Sequence, residues 1–420
     1  MANLTQWLKQ TSVKRAILIF IIVRLFLVFW STVSLTINPL PEDRDEAIRP
    51  YLGELVLDKG VSGLLLGPWQ RFDSQRYLVI AREGYANEQN SVFPPLYPLV
   101  IRVLGGLLGG GSAANLMVAI FIANLACLGY LILLHRVVTH DIDEQVATRT
   151  LIYLVLFPTG FFLFAPYTEP IFMLLALGSL WAGRNGRFWL AGSLGFLAAL
   201  TRLTGWILVV PLAYEVWQQE GEGRGERGEE GKEKREGGRG KGEEGLFASS
   251  LSLLVSFLPT LLPPLGLVTF IVWRWYVGLP PLSQIYQQYW YQTTNLPGSD
   301  IVRAIDTLFF NGPARANEFI SLALDFAVTI FLFVTTAFVW RRLPRTYGLY
   351  SVMLLLFILL PTSELKPIYS FSRYALAFFP TFILLGIVGE RPSINRLILY
   401  PFLLLYLYFS GQFFVWGWVA

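Results

Sequence analysis

Apolar runs of membrane-crossing length recur along the whole chain, and they constrain the fold more than any other feature. A transmembrane helix needs about 20 consecutive apolar residues. Such runs fall at roughly 16–37, 113–134, 147–165, 168–183, 188–201, 203–217, 247–276, 319–340, 346–361, 375–389 and 395–418. Backbone groups in lipid have no water to bond, so only helices or closed barrels can cross it. The runs are continuous rather than alternating, which points away from a barrel. The expectation is an all-α polytopic membrane protein: a bundle of about eleven transmembrane helices forming a single domain over residues 1–420. The first run is too long for a signal-peptide core, and no small-residue cleavage site follows it, so it reads as an uncleaved span.

Charge placement orients the bundle. Cytoplasmic loops carry the excess of Lys and Arg. Lys9, Lys14 and Arg15 put the start of the chain inside. A further apolar stretch, "PLYPLVIRVLGGLLGG" (95–110), holds prolines, four glycines and Arg102. If it does not cross, "HR" (135–136), "RNGR" (184–187), "RRLPR" (341–345) and "ERPSINR" (390–396) all fall inside. If it crosses, all of them fall outside. The stretch is therefore read as an interfacial or re-entrant helix. Residues 38–112 become a large first extracytoplasmic loop with interfacial helices. Residues 278–318, with "QIYQQYWYQ", become a second large outer loop. Residues 218–245 are glycine and charge with almost no apolar content. Such a segment cannot offset the entropy of ordering, so it reads as a disordered cytoplasmic linker.

Several chemistries are disfavoured at once. The single Cys127 forbids an internal disulfide, and with only His135 and His140 beside it a zinc site is not expected. A net charge of +4 fits loop bias rather than nucleic-acid binding.

The polar residues of the outer turns carry what chemistry there is. "RFDSQRYLVIAREGY" (71–85) places Asp73 before a run without Gly or Pro that ends at Gly84. Asp before such a run is a good N-cap, and Gly after it a good stop. The cap would hold an ionised carboxylate at the top of a helix, where it can serve as a base for a sugar hydroxyl. Helix spacing puts Arg76 within a turn of it. "FPPLYP" (93–98) has prolines that fix a turn and contains Tyr97, a candidate wall of an outer cavity. "YTEP" (167–170) brings Tyr167 and Glu169 to the membrane edge, where an ionisable group usually faces a cavity or a partner. "TRLTG" (201–205) puts Arg202 outside, against the positive-inside bias. "TSELKPIYSFSRY" (362–374) adds Glu364, Lys366, Ser372 and Arg373. Arg binds phosphate bidentately, and Lys acts as a point charge. One base and several cations converging on one face suit transfer of a group from a phosphate leaving group. In a membrane-embedded chain that phosphate belongs to a lipid. Asp73 is thus the candidate catalytic base, Arg373, Arg202 and Lys366 the candidate phosphate-binding groups, and Arg76, Tyr97, Tyr167, Glu169 and Ser372 the candidate substrate-binding residues.

Two Asp-x-Asp pairs look like metal and nucleotide-sugar ligands. "DID" (141–143) lies inside before a span and reads as a helix cap; "DRD" (43–45) sits in an acidic outer loop and reads as solvated. Arg24, midway along the first span, is expected to pair inside the bundle.

In order along the chain, "RFDSQRYLVIAREGY", "FPPLYP", "YTEP", "TRLTG" and "SRYALAFFP" resemble the motifs of the GPI mannosyltransferase II (PIG-V) family and its bacterial relatives. That resemblance implies a GT-C-type fold. It implies transfer of mannose from a polyprenyl- or dolichyl-phosphate donor on the extracytoplasmic side of a membrane, here a bacterial plasma membrane. The anomeric configuration inverts, Asp73 occupies the family's catalytic-acid position, and no nucleotide, metal or other cofactor takes part. The acceptor would be a glycolipid or glycan, and membrane lipids the surroundings. Where the family's turn reads "RSNG", this chain has Arg202-Leu203-Thr204-Gly205, with Thr204 in place of Asn. Two other functions compete. A lipid-sugar transporter or flippase fits the polytopic form, but transporters place polar groups at mid-membrane and often carry inverted repeats. A nucleotide-sugar transferase working through "DID" from the inside would need a metal.

Overall fold

The structure, a computed structural model, describes residues 11–38, 56–57, 59–233, 255–312, 316–363, 366–417 and 419. It is almost wholly helical. Each of the eleven apolar runs carries helix, in pieces of very different length. Among the described residues, five helices are long and apolar enough to cross a membrane: Thr11–Ile37, Gly111–Asp141, Val255–Tyr276, Glu318–Arg342 and Pro392–Phe414. A sixth span arises if the bent pair Phe371–Ala377 and Phe379–Val388, angled at 79°, counts as one. The remaining runs hold shorter helices, among them Glu144–Val155, Glu169–Arg184, Phe188–Ala199 and Arg345–Ile358. The stretch 95–110 holds a helix of 12 residues, Leu96–Leu107. At 1.5 Å per residue it is ~18 Å long, well short of the hydrocarbon thickness.

Burial follows the logic of an apolar solvent. The helix Thr11–Ile37 buries Val13, Ala16, Val23, Leu27, Ser31 and Ser34, while Leu18, Ile21, Ile22, Leu25 and Phe29 stay exposed. Large apolar side chains turned outward suit lipid rather than water. Helices approach closely where side chains are small. A Cβ on Gly266 would press into the Phe196 carbonyl oxygen, so glycine lets Leu262–Tyr276 lie against Phe188–Ala199.

Between Val155 and Glu169 the chain leaves regular helix and is buried throughout residues 157–168. Irregular backbone at this depth requires internal partners. The Phe164 carbonyl accepts from Arg24 Nη1 at 3.1 Å and Asn124 Nδ2 at 3.2 Å. Thr159 Oγ1 donates to the Ser372 carbonyl at 2.6 Å. Arg24 therefore pairs inside the bundle, with a carbonyl and with the Trp69 ring 4.3 Å away.

The long connections between the apolar runs are also structured. Residues 60–107 form helices Gly60–Leu66, Asp73–Glu83 and Leu96–Leu107, and 282–309 form Leu282–Trp290 and Ser299–Phe309. A short antiparallel ladder, Gln292↔Ser363 to Thr294↔Pro361, joins the second of these segments to residues 361–363; nothing in the run pattern announces it. The helix that starts at Val209 continues to Glu233, so the charged linker is helical for its first sixteen residues, 218–233. The rest of that linker and "DRD" lie outside the described residues.

The last helix ends in a Schellman motif. Gly417 N–H donates to the Gln412 carbonyl at 2.7 Å and Trp416 N–H to that of Phe413 at 3.3 Å. Glycine usually takes the left-handed position of such an end; here Trp416 holds it, at φ 62°.

Candidate active site

Asp73 is the first residue of the helix Asp73–Glu83. The sequence reading made it the N-cap; the structure corrects this. The cap position belongs to Phe72, and no side-chain cap bond is present. The helix is entered through a turn in which Ser74 N–H reaches the Arg71 carbonyl at 3.2 Å. Phe72 holds the first central position at φ 50°, ψ −117°. Those angles are those of a type II′ turn, which strongly favours glycine, and a non-glycine residue there costs about 1–3 kcal/mol. The Arg71 carbonyl also accepts from Ser74 Oγ at 2.8 Å and Tyr167 Oη at 2.9 Å. Gly84 does end the helix, at φ 74°.

Released from capping, the Asp73 carboxylate accepts from Arg373 Nη1 at 2.6 Å. Arg373 Nε also donates to Glu169 Oε1. Arg202 Nη1 reaches the same Glu169 oxygen at 2.6 Å and Thr168 Oγ1 at 3.3 Å. Asp73, Arg373, Glu169 and Arg202 thus form one alternating acid–cation chain, drawn from four segments far apart in sequence. Glu169 is 4% exposed. Removing one partner from a buried pair of this kind costs about 3–5 kcal/mol, because the other charge is left uncompensated.

Local structure explains each placement. Glu169 opens the helix Glu169–Arg184, and its Pro170 fits the first turn, where the missing N–H is no loss. Arg202 precedes a tight turn at which a Cβ on Gly205 would collide with the Ala198–Ala199 backbone, so glycine lets the turn close over the helix end. Arg373 sits on the short helix Phe371–Tyr374, which Ser370 enters at φ 63°. The guanidinium lies over the Tyr167 and Phe162 rings, at 4.7 and 5.1 Å. That stacking fixes its plane.

The other candidates take different places. Arg76 Nη1 donates to Asn90 Oδ1 at 2.9 Å and stacks 4.5 Å from the Trp290 ring. Burial lowers its pKa, and nearby Asp73 pulls the other way. Tyr97 is buried, donates to the Ala119 carbonyl at 2.8 Å and packs on Tyr77, whose hydroxyl lies 3.1 Å from Thr168 Oγ1. Tyr97 itself packs behind the cluster, while Pro95 and Pro98 of the same run line a cavity of about 600 Å³. Lys366, expected as a phosphate ligand, is engaged elsewhere: Nζ contacts Asp325 Oδ2 at 2.7 Å and Ser321 Oγ at 2.8 Å. The desolvated carboxylate of Asp325 captures it, and Asp325 also accepts from Ser372 N–H at 2.8 Å. Ser372 is buried and its hydroxyl has no hydrogen-bond partner among the described residues. Glu364 lies outside the described residues.

Asp325 was missed from sequence. An acid within the apolar helix Ala316–Arg342 is as costly as Glu169 or Arg24, and the same signal would have found it. In "DID", Asp143 caps the helix Glu144–Val155 through Val146 N–H at 2.7 Å, while Asp141 pairs with Arg184 at 2.6 Å.

Beside the acid–cation chain lies a cavity of about 10 Å³, lined by Glu169, Arg202, Thr204, Arg373, Tyr374 and apolar neighbours. Glu169 Oε2 and Thr204 Oγ1, both buried and both on lining residues, have no hydrogen-bond partner among the described residues. The space suits about one water.

Comparison with known proteins adds sequence evidence. Residues 12–218 match the model of the family described as Mannosyltransferase (PIG-V). GPI alpha-1,6-mannosyltransferase 2 of Cricetulus griseus is 30% identical over 186 residues, 40% of this chain and 36% of that protein. GPI mannosyltransferase 2 of Yarrowia lipolytica is 29% identical over 183 residues, 40% of this chain and 50% of that protein. The chain spans about a third of the length of the first curated relatives it matches. Among solved structures, ArnT from Cupriavidus metallidurans bound to undecaprenyl phosphate aligns over 96% of this chain and 76% of its own, at 14% identity and a TM-score of 0.43.

Proposed function

We propose that this chain, which resembles the PIG-V mannosyltransferases and carries their signature over residues 12–218, is an inverting glycosyltransferase of the GT-C type. It moves a sugar, mannose, from a polyprenyl-phosphate donor to a hydroxyl of a glycolipid or glycan. The site faces the extracytoplasmic side of a bacterial plasma membrane, the orientation that the Lys and Arg loops favour. The observation that carries the reading is the chain Asp73–Arg373–Glu169–Arg202.

The chemistry follows from that arrangement. The donor phosphate draws the Arg373 guanidinium, and Arg202 with it, into charge-assisted bonds. Arg373 then shares less of its charge with Asp73. The carboxylate accepts the proton of the acceptor hydroxyl as that oxygen bonds to the sugar's anomeric carbon. The carbon–oxygen bond to phosphate breaks on the opposite face, and the phosphate departs with the electron pair. Its growing charge meets the two guanidinium groups, which stand where a divalent ion would otherwise be needed. Glu169 keeps both arginines in register, and Tyr167 and Phe162 hold the plane of Arg373. Lys366, paired with Asp325, positions the Ser372–Arg373 segment rather than touching the donor.

The test is transfer of labelled mannose from polyprenyl-phosphate-mannose to methyl α-mannoside by the purified protein. Labelled disaccharide is expected. Counterflow of the lipid-sugar in proteoliposomes without any transfer product would overturn the reading in favour of a transporter.

A further inference from the structure

Two large aromatic residues occupy backbone positions that favour glycine, and they touch. Phe72 stands at φ 50° in the turn before Asp73, and Trp416 stands at φ 62° in the Schellman end of the last helix. Their ring centres are 5.3 Å apart. Phe72 also meets Phe413 at 6.0 Å. Next to Phe72, the buried Arg71 donates Nε to the Phe414 carbonyl at 3.0 Å and lies 4.8 Å from the Trp416 ring. Trp69, four residues before Asp73, packs on Phe414 at 5.4 Å. Trp416 and Trp69 are fully buried. Three residues at the end of the last helix, Phe413, Phe414 and Trp416, thus grip Trp69, Arg71 and Phe72 of the turn.

Glycine at 72 and 416 would satisfy both backbones without strain. The rings are kept although the backbone disfavours them, so the contact itself has a use. Strained non-glycine residues persist where the surroundings over-determine them, and they cluster at functional sites. The turn they brace has one charged residue directed at the acid–cation chain, which is Asp73.

We infer that the aromatic hook Phe413–Trp416 is a positioning element for the reaction: through Phe72 and Arg71 it sets where Asp73 stands relative to Arg373. The inference rests on the reading of Asp73 as the base. The hook touches neither substrate nor the reacting atoms. It fixes the pivot of the Asp73 helix from one side, while Tyr167 holds the Arg71 carbonyl from the other.

Trp416→Gly and Phe72→Gly test this, because each removes a ring while easing the backbone. Mannose transfer to methyl α-mannoside is measured per amount of folded protein, with melting temperature followed in parallel. Each variant is expected to lower kcat about 10- to 100-fold, the effect of an approximately 1 Å misplacement, with KM for the polyprenyl-phosphate-mannose donor within about twofold. Phe72→Tyr and Trp416→Phe, which keep a ring, are expected to restore most of kcat. The double glycine variant is expected to lose no more than either single one, since both act through one contact. If one glycine variant fails to fold, the other carries the same comparison. A kcat within about twofold of the parent in the glycine variants, with Asp73→Asn inactive, would overturn the hook and leave the base in place. Full activity in Asp73→Asn would remove the base reading, and the hook's role with it.

Discussion

The helix Glu169–Arg184 has an ionic cluster at each end, ~22 Å apart at 1.5 Å per residue. At its far end Arg184 grips Asp141 with both Nη atoms, at 2.6 and 3.0 Å, and Tyr347 Oη and His140 supply the remaining bonds. Every oxygen of that carboxylate has a partner. At the near end Glu169 faces two guanidinium groups, yet among the described residues its Oε2 has no partner, and neither do the hydroxyls of Thr204 and Ser372. A buried polar network gains rigidity when fully satisfied and costs free energy when it is not. The Asp141 cluster is what a structural clamp looks like. The Glu169 cluster carries orphaned groups beside a cavity, and such orphans call for an explanation that packing does not give.

The largest effects should separate the two ends by what they damage. Asp73→Asn keeps the shape of the carboxylate and removes its basicity. Transfer is expected to fall about 10²–10⁴-fold, the usual contribution of a general base. A variant within threefold of the parent in kcat would break the contrast at its strongest point. Next comes Arg373→Lys, which keeps the charge but cannot bridge Asp73 and Glu169 while stacking on Tyr167. A loss of about 10²-fold in kcat/KM is expected, as for the removal of one preorganised donor. Steady-state rates against donor concentration decide it, and an unchanged kcat/KM would mean that the bridging fork is dispensable.

At the far end the sign of the experiment reverses. Asp141→Asn leaves Arg184 short of its carboxylate, and the folded state is expected to lose about 1–3 kcal/mol. The rate per folded molecule should stay the same. Thermal unfolding in detergent, read beside the transfer assay, checks both halves. A large fall in kcat without a fall in melting temperature would show that the two clusters are not independent.

What the sequence made legible divides along similar lines. Arg202 stood out against the positive-inside bias and Glu169 because charge is costly at the membrane edge, and the structure links both to Asp73 through Arg373. Asp325 obeyed the same rule and was overlooked within an apolar run. The loop prolines and Gly84 announced their turns. Phe72 and Trp416 announced nothing, because a left-handed residue that is not glycine leaves no trace in composition. The bond from Arg71 to Phe414 spans 343 positions, so no local pattern could contain it. Asp73 was read as a cap because Asp before a Gly-free run suits a cap and an ion pair equally well. Only the position of Arg373 decides between them.

The smallest expected effect is the sharpest probe of the orphaned groups. Thr204 is 5% exposed and its hydroxyl has no partner among the described residues. Valine has nearly the same shape without the hydroxyl. Burying a hydroxyl unpaired is unfavourable, so Thr204→Val should stabilise the fold by about 1 kcal/mol. If the hydroxyl and Glu169 Oε2 are held unpaired for a substrate, the same change should slow transfer about threefold, roughly the worth of one modest hydrogen bond. The two readouts then move in opposite directions, which no purely structural residue does. Melting temperature and kcat measured on one preparation settle the matter. A variant that is both more stable and equally fast would place Thr204 with the satisfied end of the helix after all, as a packing residue whose hydroxyl is incidental.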